Sequence, residues 1–458
     1  MVETATAEPD GIPIPQRYWA ILAIALGLTL AVLDGAIANV ALPTIAADLN
    51  SSAASSIWVV NAYQLTVTIA ILPLSSIGDI YGYRRVYIAG LIGFGIASLG
   101  CAPADSLVTL AIARSFQGLG AACIMSVNGA LVRVIYPRAW LGRGLGINAT
   151  VGSIASAAGP TVAAAILAVA HWQWLFAVNV PLAALGLVIA LRALPRARRS
   201  PHKFDVVSAA LCALAFGLLI TGIDGIAHDE AWPIVVLEVV ASVLMGALLV
   251  ARQASRASPL LPVDLMRIPL FALSVATSIC AFAAQGLALV SLPFLFQNTL
   301  GRSQVDTGLL MTPWPMTVAV IAPFIGRLSD KVPAGLLGGV GLALMASGLG
   351  LLGFLPDHPS AADIVWRVTL CGLGFGLFNT PNNRALIMAA PRSRTGGASG
   401  MQATARLLGQ TIGAALAALV FGRFAEHGTT VTLVVAGGIA AIAACVSLTR
   451  LTDSSRSG

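Results

Sequence analysis

The sequence predicts an all-α polytopic membrane protein: two pseudo-symmetric six-helix bundles with two further helices inserted between them. Three observations carry this expectation. Of 458 residues, 57% are hydrophobic and only 10% charged, whereas soluble domains carry roughly 25% charged residues. The apolar residues fall in runs long enough to cross ~30 Å of hydrocarbon at about 1.5 Å per residue. Polar residues also recur at a nearly constant offset between the two halves. An open sheet cannot satisfy its backbone in lipid, and the alternating polarity of a barrel is missing.

Fourteen spans follow in order. The first six are residues 19–43, 57–77, 86–102, 107–127, 145–170 and 174–194. The inserted pair is 204–223 and 232–251, and the last six are 270–296, 309–325, 335–355, 364–387, 400–421 and 431–448. The domains expected are thus 1–200, 204–251 and 252–458. Basic segments mark alternate boundaries: Arg17; Arg84 and Arg85; Arg133, Arg138 and Arg143; the run 195–203 with its flanking Arg192; Arg252, Arg256 and Arg267; Arg327 and Lys331; Arg384, Arg392 and Arg394; Arg450 and Arg456. With both termini inside, 21 of the 26 Lys and Arg residues are cytoplasmic and only Arg302 and Arg423 lie outside. That asymmetry fixes orientation, and a missed span would destroy it. The run 195–203 is the strongest break, a basic linker able to meet anionic headgroups.

The net charge of +7 belongs to these loops. No basic domain exists to bind nucleic acid. Cys101, Cys123, Cys212, Cys280, Cys371 and Cys445 lie in or beside apolar spans without metal-ligand spacing and read as small core residues. No P-loop, histidine metal motif or nucleophile elbow is present, so no enzyme, metal site or cofactor is expected. The polar N-terminus lacks a basic n-region and a cleavage site, and the first span is expected to be retained. A monomer is expected.

The repeat is carried by polar residues. A shift of 251 places Asp34-Gly35 on Gln285-Gly286 and Asp79 on Asp330. A shift of 253 places Arg114 on Arg367. A shift of 254 places Gly146, Asn148, Ala149, Thr150 and Gly159 on Gly400, Gln402, Ala403, Thr404 and Gly413. Parallel six-span repeats are one known transporter architecture.

Asp34 lies inside the first span. A carboxylate at mid-membrane costs about 2.5–3.5 kcal/mol on insertion scales and is kept there for function. Arg114, early in the fourth span, lies at matching depth and is the expected partner. Asn61, Gln64, Gln285 and Arg406 are the expected cavity residues. Arg406 needs a partner or water, or an anionic group on a substrate.

Several strings resemble the fourteen-span drug:proton antiporter branch of the major facilitator superfamily. Leu33-Asp34-Gly35-Ala36-Ile37-Ala38-Asn39-Val40-Ala41-Leu42-Pro43 is similar to that branch's first-helix motif. Asp79-Ile80-Tyr81-Gly82-Tyr83-Arg84-Arg85 looks like the superfamily's signature loop. Arg114-Ser115-Phe116-Gln117-Gly118-Leu119-Gly120 is similar to the fourth-span motif, and Gly159-Pro160 to the antiporter kink. The resemblance runs from about residue 17 to 450. Ser75 and Tyr83 depart from the loop pattern. Ala155, Ala163 and Ala164 replace glycines of the kink motif.

The resemblance implies alternating access in a cell inner membrane, with Asp79, Gly82, Arg84, Arg85 and Asp330 as a cytoplasmic gating loop and its second copy. It implies that Gly159 and Pro160 form a hinge limiting proton leak. A proton-coupled transporter needs an acid in the spans. Asp34 and Glu238 lie well inside spans, with Asp224 near a boundary, and the last two belong to the inserted pair. By elimination Asp34 carries the proton. Burial favours its neutral form and a nearby cation its ionised form. The expected function is proton-coupled export of lipophilic or cationic drugs or toxic compounds. The alternatives are a metabolite exporter or symporter on the same fold, and a transporter-like sensor.

Overall fold

The computed structural model describes residues 11–137, 140–195, 204–227, 230–254, 263–356, 358–391, 395–424 and 427–454. Most of the basic linker 195–203, together with Arg138, Arg256, Arg392, Arg394 and Arg456, lies outside the described residues. Among the described residues every regular element is helical. The helices are α1 (Gln16–Asp48), α2 (Ala53–Tyr81), α3 (Tyr83–Cys101), α4 (Leu107–Ile135), α5 (Leu141–Leu167) and α6 (Trp174–Ala193). The inserted pair is α7 (Val206–Ala227) and α8 (Trp232–Ala254). There follow α9 (Pro269–Phe294), α10 (Gln304–Leu328), α11 (Ala334–Gly353), α12 (Ala361–Ala389), α13 (Thr395–Arg423) and α14 (Gly428–Ser454).

Thirteen of these, among the described residues, are long and apolar enough to cross a membrane. Helix α3 is not one of them. It has 19 residues and places Arg84 and Arg85 in its first turn, yet it packs along α4 and α6 like its neighbours. Helix α1 also continues through Pro43 to Asp48 rather than stopping at the proline. Pro43 is buried, and packing holds the helix together where the missing N–H alone would break it.

The repeat extends to the caps. Ser52 opens α2 and Ser303 opens α10, each accepting from the backbone N–H three residues on. Ser106 opens α4 and Ser360 opens α12, each in a reciprocal capping box. Packing repeats as well. Helix α1 packs on α4, α5 and α6, as α9 does on α12, α13 and α14. Between the halves α2 packs on α13, and its counterpart α10 packs on α5. The chain thus forms two similar helical bundles related by an axis along the helices.

Side-chain bonds fix which ends meet. Gln16 Nε2 donates to Ala193 O (3.0 Å), and Arg450 Nη2 donates to Leu273 O (3.1 Å) near the start of α9. Gln297 Nε2, just past α9, donates to Val40 O near the end of α1 (2.9 Å). Both ends of the helical chain therefore lie on one face. At the opposite face Ile37, Leu42 and Ile45 of α1 share one buried core with Leu292, Phe294 and Leu310 of the second half. Polar ties reinforce that seal: Thr44 Oγ1 donates to Gln297 Oε1 (3.3 Å), and the Thr161 and Thr312 hydroxyls bond at 2.8 Å. Toward the chain-end face the cores separate. One belongs to the first half apart from Leu407, the other to the second half. The space between them opens toward the chain ends.

The α7–α8 hairpin is tied by Gln253 Nε2 donating to Ser208 Oγ (2.6 Å) and by the Arg252–Asp205 ion pair (3.1 Å). Burial pushes the Asp205 carboxyl up, but bonds from Arg252 and Ser208 outweigh it and hold it at about 2. A depressed acid contributes stability above its unfolded value of about 3.9, lost as pH falls through the folded value. Hydrogen exchange at the start of α7 should therefore quicken below about pH 4 in the wild type. It should be already fast, and less pH-dependent, in Asp205→Asn. With Arg252 half exposed, the effect is at most about 1 kcal/mol.

Candidate functional site

Asp34 sits on the face of α1 that turns toward α4 and α6, and both it and Arg114 are 0% exposed. Asp34 Oδ2 accepts from Arg114 Nη1. Asp34 Oδ1 accepts from Gln117 Nε2 (2.9 Å) and Asn179 Nδ2 (2.7 Å). Arg114 Nη1 also donates to Gln117 Oε1 (2.6 Å), and its Nε donates to Val59 O (2.9 Å). Gln117 stands one turn beyond Arg114 on α4, so both reach the same carboxylate. Its amide donates to Ser98 Oγ (2.9 Å) on α3. A buried ion pair is held only where such extra bonds offset desolvation. Here α2, α3, α4 and α6 supply them.

Tyr63 of α2 closes the cluster. Its ring lies 4.3 Å from the Arg114 guanidinium carbon, with the Phe176 ring at 5.4 Å, in cation–π contact. Its hydroxyl donates to Ala31 O (2.7 Å). The other side of Tyr63 lines a central cavity between the halves. Tyr63 therefore stands between the Asp34–Arg114 pair and the cavity. Tyr63→Ala is expected to raise substrate-independent proton leak in liposomes several-fold, whereas Tyr63→Phe, keeping the ring, stays near wild type. Equal leak in wild type and Tyr63→Ala, read with an entrapped pH dye, contradicts this.

The cavity has two lobes of about 110 and 450 Å³. They share walls at Asn39, Ser156, Arg406 and Gln410. The smaller is bounded by Gln64 and Tyr63, the larger by Gln285, Trp314, Phe375 and Asn379. Of the residues expected to line the cavity, Gln64, Gln285 and Arg406 do so. Asn61 lines neither lobe. It is buried one turn nearer the sealed end, beside Val59 and Val60, and neither of its amide atoms has a hydrogen-bond partner among the described residues. Asp34 is paired with Arg114 as expected but does not itself reach the cavity wall.

Gly159 and Pro160 lie at a three-helix crossing. A Cβ on Gly159 would run into Ala36 of α1, and one on Gly308 of α10 would meet Pro160 O. Gly82 has φ +100° between α2 and α3, a conformation that favours glycine. Tyr83 Oη donates to Asp79 Oδ1 (2.6 Å), and Arg84 Nη2 donates to Leu191 O. Arg85 is exposed. Asp330 pairs with Arg384, which also donates to Ser329 Oγ (3.2 Å). Each of these bonds stays within its own half.

Gln117, Asn179, Tyr63 and Arg384 were not singled out from the sequence. Gln117 lay inside the fourth-span string, and its i+3 spacing from Arg114 was the usable signal. Among the described residues no group of three or more His, Cys, Asp or Glu side chains could hold a metal.

Two helical bundles around a central polar cavity, with an ion pair buried beside it, define a membrane transporter rather than an enzyme. The model of the Major Facilitator Superfamily matches residues 24–414, and the chain belongs to that family. It is 55% identical over 448 residues to the protein described as uncharacterized transporter YebQ of Escherichia coli (strain K12), covering 97% of this chain and 98% of that one. It is 34% identical to the multidrug resistance protein Stp of Mycobacterium tuberculosis (strain CDC 1551 / Oshkosh), covering 86% of this chain and 74% of Stp. A crystal structure of a POT family transporter in complex with a thioalcohol-conjugated peptide superposes with a TM-score of 0.74 at 14% identity, over 96% of both chains. That likeness bears on fold alone. The protein is a multi-pass membrane transporter of small molecules, and its bacterial relatives place it in the inner membrane.

Proposed function

We propose that this protein is a proton-coupled exporter of lipophilic, toxic compounds that works by alternating access as a monomer. The observation that carries the reading is the fully buried Asp34–Arg114 pair beside a cavity sealed at one face and open at the other. The relative named as a multidrug resistance protein supports the efflux direction. Proton arrival at Asp34 releases Arg114 and biases the bundles toward the opposite facing state. A site acts on an equilibrium only through its different free energy in the two states, and this pair supplies the difference. Asp79, Arg84, Arg85 and Asp330 act as the chain-end latch. In the open arrangement their bonds fall within each half, which leaves them able to bridge the halves on closure. Gly159 and Pro160 act at the α1–α5–α10 crossing about which the halves turn. The functional units are 1–200 and 252–458, with 204–251 as the insertion, and fourteen crossings put both ends in the cytoplasm.

The sequence points to lipophilic or cationic compounds as substrates and to Asp34 as the acid that carries the proton. In the fold that carboxylate is bonded on both oxygens and shielded by Tyr63, so the charge of the preferred substrate is a separate question. The test is transport in inverted membrane vesicles under an imposed pH gradient, with a panel of fluorescent lipophilic dyes. Inward accumulation with proton release from the lumen supports export by antiport. Movement of dye and proton in the same direction supports the symporter alternative. Dye binding with no gradient-driven movement leaves only the sensor.

A further inference from the structure

The walls of the two lobes carry one ionisable charge among the described residues, and it is positive. Arg406 borders both lobes. It is half-buried, and its guanidinium makes no hydrogen bond or ion pair among the described residues. No Asp or Glu lines either lobe. The acid in the vicinity, Asp34, is 0% exposed, neutralised by Arg114 and screened by Tyr63. An intramembrane charge needs water or a partner of opposite sign, and the described residues provide no such partner here.

The wall chemistry agrees. Gln402, Arg406 and Gln410 follow at four-residue spacing along one face of α13, and all three reach the larger lobe. Amides offer donor or acceptor as required, but Arg and Trp only donate. The Trp314 indole N–H is buried on this wall and has no acceptor among the described residues. The groups of fixed polarity are thus both donors. Phe282 and Phe375 stack edge to face at 5.3 Å beside Trp314 and provide an aromatic wall. The larger lobe, about 450 Å³, falls in the usual range for small-molecule sites.

We propose that the cavity selects organic anions: aromatic amphiphiles whose carboxylate, or equivalent acidic group, bonds Arg406 while the body lies against Phe282, Trp314 and Phe375. This rests on the cavity being the substrate site of the transporter and names the substrate class for it. Guanidinium and carboxylate form a planar two-bond pair, which a point charge matches less well. A lipophilic cation meets an uncompensated like charge instead.

The test is isothermal titration of the purified full-length protein in detergent with three probes sharing one biaryl body: a carboxylate, its primary amide and a trimethylammonium. The wild type is expected to bind the carboxylate about 10–100-fold more tightly than the amide, the worth of a hydrogen bond to a charged group. The trimethylammonium should bind weakest. Arg406→Gln should erase the carboxylate preference and Arg406→Lys should keep part of it. Gln402→Glu, one turn away, should weaken the carboxylate and improve the trimethylammonium. These changes fall on an unpaired, half-buried group and its neighbour, and thermal unfolding midpoints should stay near wild type. Absence of carboxylate preference in the wild type, including no binding of any probe, overturns the proposal. So does a preference that survives Arg406→Gln. The titration uses no gradient, so it is independent of proton coupling. Carboxylate binding through Arg406 without gradient-driven transport would count against export while leaving this inference intact.

Discussion

Asp34→Asn, reconstituted in liposomes, is expected to reduce gradient-driven transport to the level of empty vesicles. Asparagine keeps the side-chain shape and can still accept from Gln117 and Asn179. It cannot take up and release a proton. It also leaves Arg114, 0% exposed, as a buried charge with no counter-ion. Breaking such a pair typically costs about 3–5 kcal/mol. Moving a two-state equilibrium from 1:99 to 99:1 needs about 5.5 kcal/mol. The protonation of one carboxyl is therefore of the right size to switch the facing state. The same figures predict a lower unfolding midpoint for Asp34→Asn. Adding Arg114→Gln should recover much of that stability and none of the transport. The readouts are substrate-dependent proton flux and thermal unfolding of the two variants and their combination. Wild-type pumping by Asp34→Asn would remove Asp34 from the mechanism. Stability that does not recover in the double variant would mean that the pair is not the source of the loss.

Gly120→Val and Gly374→Val are expected to be the most damaging substitutions outside the ion pair. A Cβ on Gly120 of α4 would stand 2.6 Å from the backbone nitrogen of Phe94 on α3. A Cβ on Gly374 of α12 would meet the backbone of Met345 and, at 2.5 Å, the carbonyl of Gly341 on α11. Backbone atoms cannot rotate aside, so the helix pairs must part. In lipid, small residues let helices approach, and packing rather than a hydrophobic drive holds them. Each substitution should cost at least about 3 kcal/mol, the upper end of ordinary overpacking. Folded, monodisperse yield should collapse. Gly438→Ala, where a Cβ meets nothing within 4 Å, should be neutral or slightly stabilising through helix propensity. Equal yields for all three variants would show that the α3–α4 and α11–α12 contacts are looser than described.

These two glycine contacts also show how far the sequence could be read. Phe94 and Gly120 map onto Met345 and Gly374 at the offsets that aligned Asp79 with Asp330 and Gly159 with Gly413. The internal repeat was thus visible in polar residues before any packing was known. Hydropathy located the helices because each must shield its own backbone in lipid. The cost of a mid-membrane charge, with matched depth, brought Asp34 to Arg114. Hydropathy does not reveal the rotation of a helix about its own axis. Asn61 and Gln64 are a turn apart on α2, yet only Gln64 reaches the cavity. Gln117 and Asn179 look like any amide in a span, and Tyr63 looks like core. Only packing shows that Tyr63 separates the ion pair from the cavity, and hence that the cavity's charge is set by Arg406.

Helix α7 lies against α2 of the first bundle and α13 of the second, straddling their seam, whereas among the described residues no inserted helix packs across the counterpart seam between α5 and α10. Any rocking that parts α2 from α13 must strip α7 from one of them. A hairpin so placed would ride with one bundle as the other swings. It breaks the equivalence of the two seams, so under the proposed alternating access the stroke would be lopsided even though the scaffold is nearly symmetric.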